Sequence, residues 1–217
     1  MVANGTLREK VYRHLRQELA KGNLIPGSFI NQNEICEKLS ISRAPMRDAL
    51  IQLEAEQFVE ILPRRGVLLR KLSIKDIKNS YEIIAALESA LIINEFDKLN
   101  ADHIEKMTEY NEQLKAALEK EKFEVYFEID LDFHNVFLKL SDNSRLRRMI
   151  IVLMQRLYDF PRMKYDKQWE RINYHEHERL IYSVQVGNRE AAASIIKNEL
   201  WSFTRHKKYL QKVYQLE

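Results

Sequence analysis

The run S-R-A-P-M-R-D-A-L-I-Q-L-E-A-E-Q-F-V-E-I-L-P-R-R-G-V, residues 42–67, decides how the rest of the chain is read. Its first half is helical over 43–55. Ser42 stands at the N-cap, and Pro45 sits in the first turn, where its missing N–H is no loss. At about 100° per residue, Met46, Ala49, Leu50 and Leu53 fall on one apolar arc. Arg43 and Arg47 lie together at the edge of that arc, one turn apart. The second half reads as two short strands, Phe58–Leu62 and Val67–Arg70. Pro63-Arg64-Arg65-Gly66 joins them as a hairpin tip.

Upstream, Leu7, Val11, Leu15 and Leu19 recur every four positions, so 7–21 is a helix stopped by Gly22. Pro26-Gly27 is a turn. Asn31-Gln-Asn-Glu34 resembles a capping box and opens a short helix with Ile35, Cys36 and Leu39 on its inner stripe, which makes Cys36 a small core residue. Three helices and a two-stranded wing describe a winged helix-turn-helix over 1–72. In that arrangement the helix beginning at Arg43 offers its N-terminal residues to base edges in the major groove. The arginines at the wing tip suit phosphates or the minor groove.

From Ser73 the texture changes to helices over about 73–98, 100–120, 122–140, 143–164, 166–186 and 188–214. Short breaks at Asn100, Ser141–Asn143, Pro161 with Tyr165-Asp166, and Gly187-Asn188 separate them. The expected fold is mainly α: an N-terminal winged helix-turn-helix (1–72) followed by an all-α six-helix bundle (73–217).

Composition agrees with this reading. Of 217 residues, 45% are hydrophobic and 31% charged, which excludes disordered and membrane-spanning classes. A single cysteine excludes an internal disulfide framework and suits a reducing compartment. The N-terminus carries no apolar secretory core, so a cytoplasmic protein is expected, without a membrane partner. Residues 1–72 hold 12 Lys/Arg against 8 Asp/Glu, while the remainder holds 23 against 24. The positive excess therefore lies entirely in the first third, a weak sign of a polyanion-binding head.

Polar residues on apolar stripes are informative, because burying them without partners is costly. Phe123, Phe127, Asp130, His134 and Phe137 share one helical face. His177 shares a face with Leu180, Ile181 and Val184, and Glu199 one with Ile195, Ile196, Phe203 and His206. Asp130, His134, His177 and Glu199 thus point inward from three helices. On periodicity alone, the four fit either a divalent transition-metal site or a core network of His–carboxylate hydrogen bonds. The aromatic run Tyr158, Phe160, Tyr165, Trp169 and Tyr174 fits either an effector pocket or ordinary core and surface.

Residues 22–67 resemble the DNA-binding domain of the GntR family of bacterial transcription regulators. The P-G turn, the S-R-x-P-x-R-x-A-L helix and the P-R-R-G wing carry the likeness. It implies that Asn33, Ser42, Arg43, Ala44, Arg47, Arg64, Arg65 and Gly66 face a double-stranded operator. The runs D-L-D-F-H-N-V-F-L-K-L-S-D-N-S-R-L (130–146) and H-E-R-L-I-Y-S-V-Q-V-G-N-R-E-A-A (177–192) resemble the FCD effector domain of the FadR-like branch. Six helices match its shorter, VanR-like type. Many such domains hold a metal through Asp, His four residues on, a later His, and a further His 22 residues after that. Asp130, His134 and His177 match the first three positions, and Glu199 falls on the fourth. The resemblance implies a zinc, nickel or manganese ion. Family members often carry an Arg four residues before the Glu of R-x-x-L-E; here that position is Ile84, ahead of Glu88. A less anionic effector than the usual organic acids, or one held mainly by the metal, is expected.

The resulting expectation is a homodimeric regulator, not an enzyme, on a roughly palindromic operator, with a small-molecule effector in the bundle. One alternative is a DNA-binding protein whose bundle only dimerises around a structural metal. A helical-bundle metalloenzyme needs paired Glu-x-x-His motifs, and none is found; H-E-H-E-R (175–179) also fails the H-E-x-x-H pattern.

Overall fold

The computed structural model describes residues 6–160, 166–214 and 216. The chain divides into two compact units, Met1–Ser73 with Gln155–Pro161, and Ile74–Met154 with Arg162–Glu217. Among the described residues the fold is mainly α with one two-stranded sheet.

In the first unit, α1 (Leu7–Ala20) opens on a complete capping box, with the Glu9 amide donating to Thr6 Oγ1 and the Thr6 amide to the Glu9 carboxylate. Val11, Leu15 and Leu19 are buried, but Leu7, the first member of the expected stripe, is exposed. Helix α2 (Gln32–Leu39) is capped by the Asn31 side chain. It ends at Ser40, whose left-handed backbone (φ 54°) makes the tight turn into α3 (Arg43–Ala55). Ser42 is the extended N-cap of α3, yet its side chain makes no capping bond. An N-cap oxygen reaches the amide of the second or third helical residue; the third, Pro45, has none, and the Ala44 amide is not engaged by Ser42. Met46, Ala49, Leu50 and Leu53 are buried as expected. Strands β1 (Val59–Leu62) and β2 (Gly66–Leu69) pair antiparallel from Val59↔Leu69 to Leu62↔Gly66. Phe29 adds a single bridge to Leu68. Cys36 is half-buried rather than core, and lines a recess of about 250 Å³ with Asn33, Arg43 and Met46.

In the second unit, α4 (Ile74–Glu95) runs on into a 3-10 turn, Phe96–Lys98. Ile77, Ile84, Glu88, Leu91 and Ile92 of α4 are all buried. Helix α5 (Ala101–Glu119) packs on α6 (Phe123–Leu138) and α8 (Lys167–Gln185), with Leu114, Ala117, Leu118 and Tyr126 as one apolar cluster. Between α6 and α8 runs α7 (Ser144–Asp159), whose last turn belongs to the first unit. The Asp166 carboxylate caps α8 by accepting from the Gln168 and Trp169 amides. Helix α8 stops at Gly187 (φ 71°), where the glycine takes the left-handed position without Cβ strain.

The single helix expected over 188–214 is interrupted. It divides into α9 (Arg189–Ile195), a π-helical turn (Ile196–Leu200) and α10 (Phe203–Tyr214). The Trp201 amide donates five residues back to the Ile196 carbonyl at 3.0 Å, which marks the widened turn. One extra residue in a turn shifts the phase of everything beyond it. No described helix is long and apolar enough to cross a membrane.

Candidate functional site

The exposed edge of α3 carries Arg43, Ala44 and Arg47, all in solvent. Their apolar arc fixes this orientation, because burying Met46 and Leu50 turns the arginines outward. Arg43 Nη2 donates to Asn33 Oδ1 of α2 at 3.2 Å, which joins the two helices at the head's polar edge. At the wing tip Arg64 (φ 61°) and Arg65 are exposed, and Gly66 (φ 114°) adopts a backbone that side chains rarely take. A Cβ at Gly66 would also meet the Phe29 ring at 3.4 Å. Among the described residues, Arg43, Arg47, Arg64 and Arg65 form no ion pair. Arg16, Arg179, Arg189 and Arg205 each do. Four exposed arginines without an ion pair thus stand at the start of α3 and at the wing tip.

In the second unit, Asp130 and His134 come one turn apart from α6 and His177 from α8. All three are buried, and one ligand atom from each lies within 4.8 Å of the others. His134 Nδ1 is 2.8 Å from Glu88 Oε1 of α4, and Trp201 Nε1 donates to Glu88 Oε2 at 2.6 Å. With its Nδ1–H on a carboxylate, His134 keeps the lone pair on Nε2. Burial works against charge on His134, but the Glu88 carboxylate outweighs it and holds the pKa above the ordinary histidine value. Burial holds His177 well below that value, with His134 adding to the effect.

His177 is the informative member. It is 1% exposed and stacked on Phe133 at 4.0 Å, yet neither ring nitrogen has a hydrogen bond among the described residues. Its Nε2 stands 3.6 Å from Asp130 Oδ1, beyond hydrogen-bond reach, and its Nδ1 has no partner. A neutral imidazole, a second imidazole with Nε2 free and a carboxylate form a nitrogen–oxygen donor set that suits a divalent transition ion. The residues therefore fit such a metal.

Glu199 does not join them. Its carboxylate turns outward and accepts from Arg179 Nε at 3.0 Å and from Arg179 Nη2. The π-helical turn carries Glu199 out of the phase assumed for an unbroken helix and brings the neighbouring Trp201 indole onto Glu88 instead. His206, on the same expected stripe, is buried elsewhere. Its Nδ1 accepts from Trp169 Nε1 at 2.9 Å and its Nε2 donates to the Glu199 carbonyl at 2.8 Å. The periodic pattern missed Glu88 as a site residue, although a glutamate on the apolar side of α4 was the signal that could have found it.

The aromatic run does not form one pocket. Phe160 belongs to the first unit and Trp169 is core of the second. Tyr158 is half-buried, and Tyr174 borders an open groove of about 460 Å³ with Lys115, Arg171 and Glu178. Tyr165 lies outside the described residues.

A helix-turn-helix head with a wing, joined to a helical body holding a buried Asp/His/His cluster, defines a class of two-part regulatory protein. Residues 7–69 match the model for bacterial regulatory proteins of the gntR family, and residues 79–200 match the FCD domain. The chain belongs to the GntR family, in the group that carries an FCD domain. This is a family of transcriptional regulators, not enzymes. Over 136 residues the chain is 25% identical to the HTH-type transcriptional repressor RspR of Escherichia coli K12, covering 63% of this chain and 60% of RspR. The match thus spans about 60% of that relative's length. It is 27% identical over 186 residues to the uncharacterized HTH-type transcriptional regulator YdhC of Bacillus subtilis 168, covering 83% and 82%. The structure of E. coli McbR/YncC has the same fold, with a TM-score of 0.79 at 20% identity over 97% of this chain and 99% of that one.

Proposed function

We propose that this chain is a DNA-binding transcriptional regulator whose operator affinity is set by a small metabolite in the helical body, with a divalent metal assisting. The observation that carries the DNA part is the placement of exposed arginines at the start of α3, opposite its buried apolar arc, and at the wing tip. Arg43 and Arg47 read the major groove with Ser42 and Ala44, and Asn33 steadies Arg43. Arg64, Arg65 and Gly66 bring the wing to phosphates or the minor groove. A homodimer then meets a roughly palindromic operator, two heads on two half-sites.

The observation that carries the metal part is His177, buried beside Asp130 and His134 with no hydrogen bond on either ring nitrogen. Asp130, His134 Nε2 and His177 would hold zinc, nickel or manganese, and the ion would supply a Lewis-acid contact to an effector oxygen. Glu88 keeps His134 in the ligating tautomer. Ile84 is fully buried one turn from Glu88 and offers no guanidinium, which favours an effector less anionic than a dicarboxylate. The same burial supports a second reading, in which the ion is structural and the body only dimerises, because closed sites are the rule for structural metals.

The test is a titration of genomic fragments by fluorescence anisotropy at several salt concentrations, with and without added metal and a metabolite panel. A regulator binds selected fragments with a steep salt dependence, and one metabolite shifts the affinity. Equal binding to all fragments would end the operator reading. Metal content without any metabolite response would favour the structural-ion reading.

A further inference from the structure

The last turn of α7 is built into the head. Helix α7 is continuous over Ser144–Asp159, yet Gln155–Pro161 falls in the first compact unit while the rest of the helix falls in the second. The contacts within that first unit are specific. Phe160, 2% exposed, stacks on Phe58 at 5.8 Å between ring centroids, with the planes 13° apart. Asp159 Oδ2 accepts from Arg16 Nε of α1, and both side chains are largely buried. Arg156, 3% exposed, donates from Nη1 to Gln57 Oε1 at 3.0 Å.

Gln57 adds an independent sign. It ends α3 in a left-handed conformation (φ 63°), with its amide on the Glu54 carbonyl and the Phe58 amide on the Leu53 carbonyl. Glycine is the ordinary occupant of that position, since a Cβ there is strained. Here a glutamine occupies it, and its side chain is the acceptor for Arg156. Arg156 and Gln57 are 99 residues apart, and Asp159 and Arg16 are 143 apart. So the head's fold is completed by residues from far outside its own sequence segment.

We infer that the last turn of α7 is a coupling element: a piece of the head's core, docked between α1 and the end of α3, that is carried on a helix of the body. A helix transmits displacement along its axis, because its hydrogen-bonded turns do not compress. α7 follows α6, which carries Asp130 and His134, after a break of five residues, Lys139–Asn143. The inference about head stability stands apart from the proposed function; its DNA consequence rests on that proposal.

The test uses full-length protein and hydrogen exchange read by mass spectrometry. Phe160→Ala and Asp159→Asn are compared with wild type and with Met149→Ala, an exposed position on the body's part of α7. Exchange over α1 and 56–69 should rise about tenfold in both head variants, while α5 and α8 stay within twofold and Met149→Ala changes neither. Where Phe160→Ala does not fold, Phe160→Leu should give the same pattern at smaller amplitude. Unchanged exchange over α1 and 56–69, or an equal rise throughout the chain, would overturn the inference. In parallel, Asp159→Asn should weaken operator binding at least fivefold with every head arginine on α3 and the wing intact. A wild-type chain that binds no DNA fragment refutes the proposed function, and the exchange result then decides the coupling element by itself.

Discussion

Replacing Glu88 by glutamine exchanges one oxygen of a buried carboxylate for an NH₂ group in a place built for an acceptor. Glu88 is 0% exposed and stands between two ring N–H groups, His134 Nδ1 at 2.8 Å and Trp201 Nε1 at 2.6 Å. The indole can only donate, so the remaining amide oxygen must face Trp201. The amide NH₂ then faces His134 and makes Nδ1 an acceptor. The His134 proton moves to Nε2, where the ligating lone pair had been. Loss of such a tautomer-fixing partner costs about 10–100-fold in metal affinity, or about 1.4–2.7 kcal/mol. Isothermal calorimetry of Glu88→Gln with zinc, nickel and manganese salts reads this directly, and circular dichroism confirms that the helices persist. Affinity within threefold of wild type for every ion that wild type binds would refute the assignment of Glu88 as the group that positions His134.

Glu199→Ala should leave metal affinity unchanged in the same calorimetry, since its carboxylate is engaged with Arg179, whereas His177→Ala should abolish tight binding. Arg47→Ala should weaken binding to all DNA fragments and lower the slope of log affinity against log salt by about one if it contacts a phosphate, or relax sequence preference by about 1–3 kcal/mol at one base pair if it reads a base edge; anisotropy at three salt concentrations separates the two. Asp166→Ala should cost about 1 kcal/mol in urea unfolding, chiefly through the lost N-cap of α8, since Lys212 is exposed and its pairing adds little. The Lys212 hydrogen bond, with help from the α8 amides, holds the Asp166 carboxyl below the ordinary aspartate value. Its stabilisation is therefore present above pH ~3.9 and lost as pH falls through the lower folded value, so Asp166→Asn should flatten the acid limb of the stability curve below about pH 4.

Features under short-range control were legible in the order of residues alone. The apolar arc of α3, the Gly22 and Gly187 stops, the wing around Gly66 and the Asp130–His134 pair one turn apart all follow from local propensity and a 3.6-residue period. A period, however, is legible only while the backbone keeps it. The π-helical turn at Ile196–Leu200 broke that phase, turned Glu199 to Arg179 and brought Trp201 to Glu88. At Ser42 the sequence did contain part of the reason for the absent cap: Pro45 removes one of the two amides such a cap can reach. Packing settled the partners separated by long stretches of chain: Glu88 with His134, 46 residues apart, and Arg16 with Asp159, 143 apart. Such pairs depend on which helix faces meet in the packed core, and that is set by the summed burial of the whole chain rather than by any neighbouring residues.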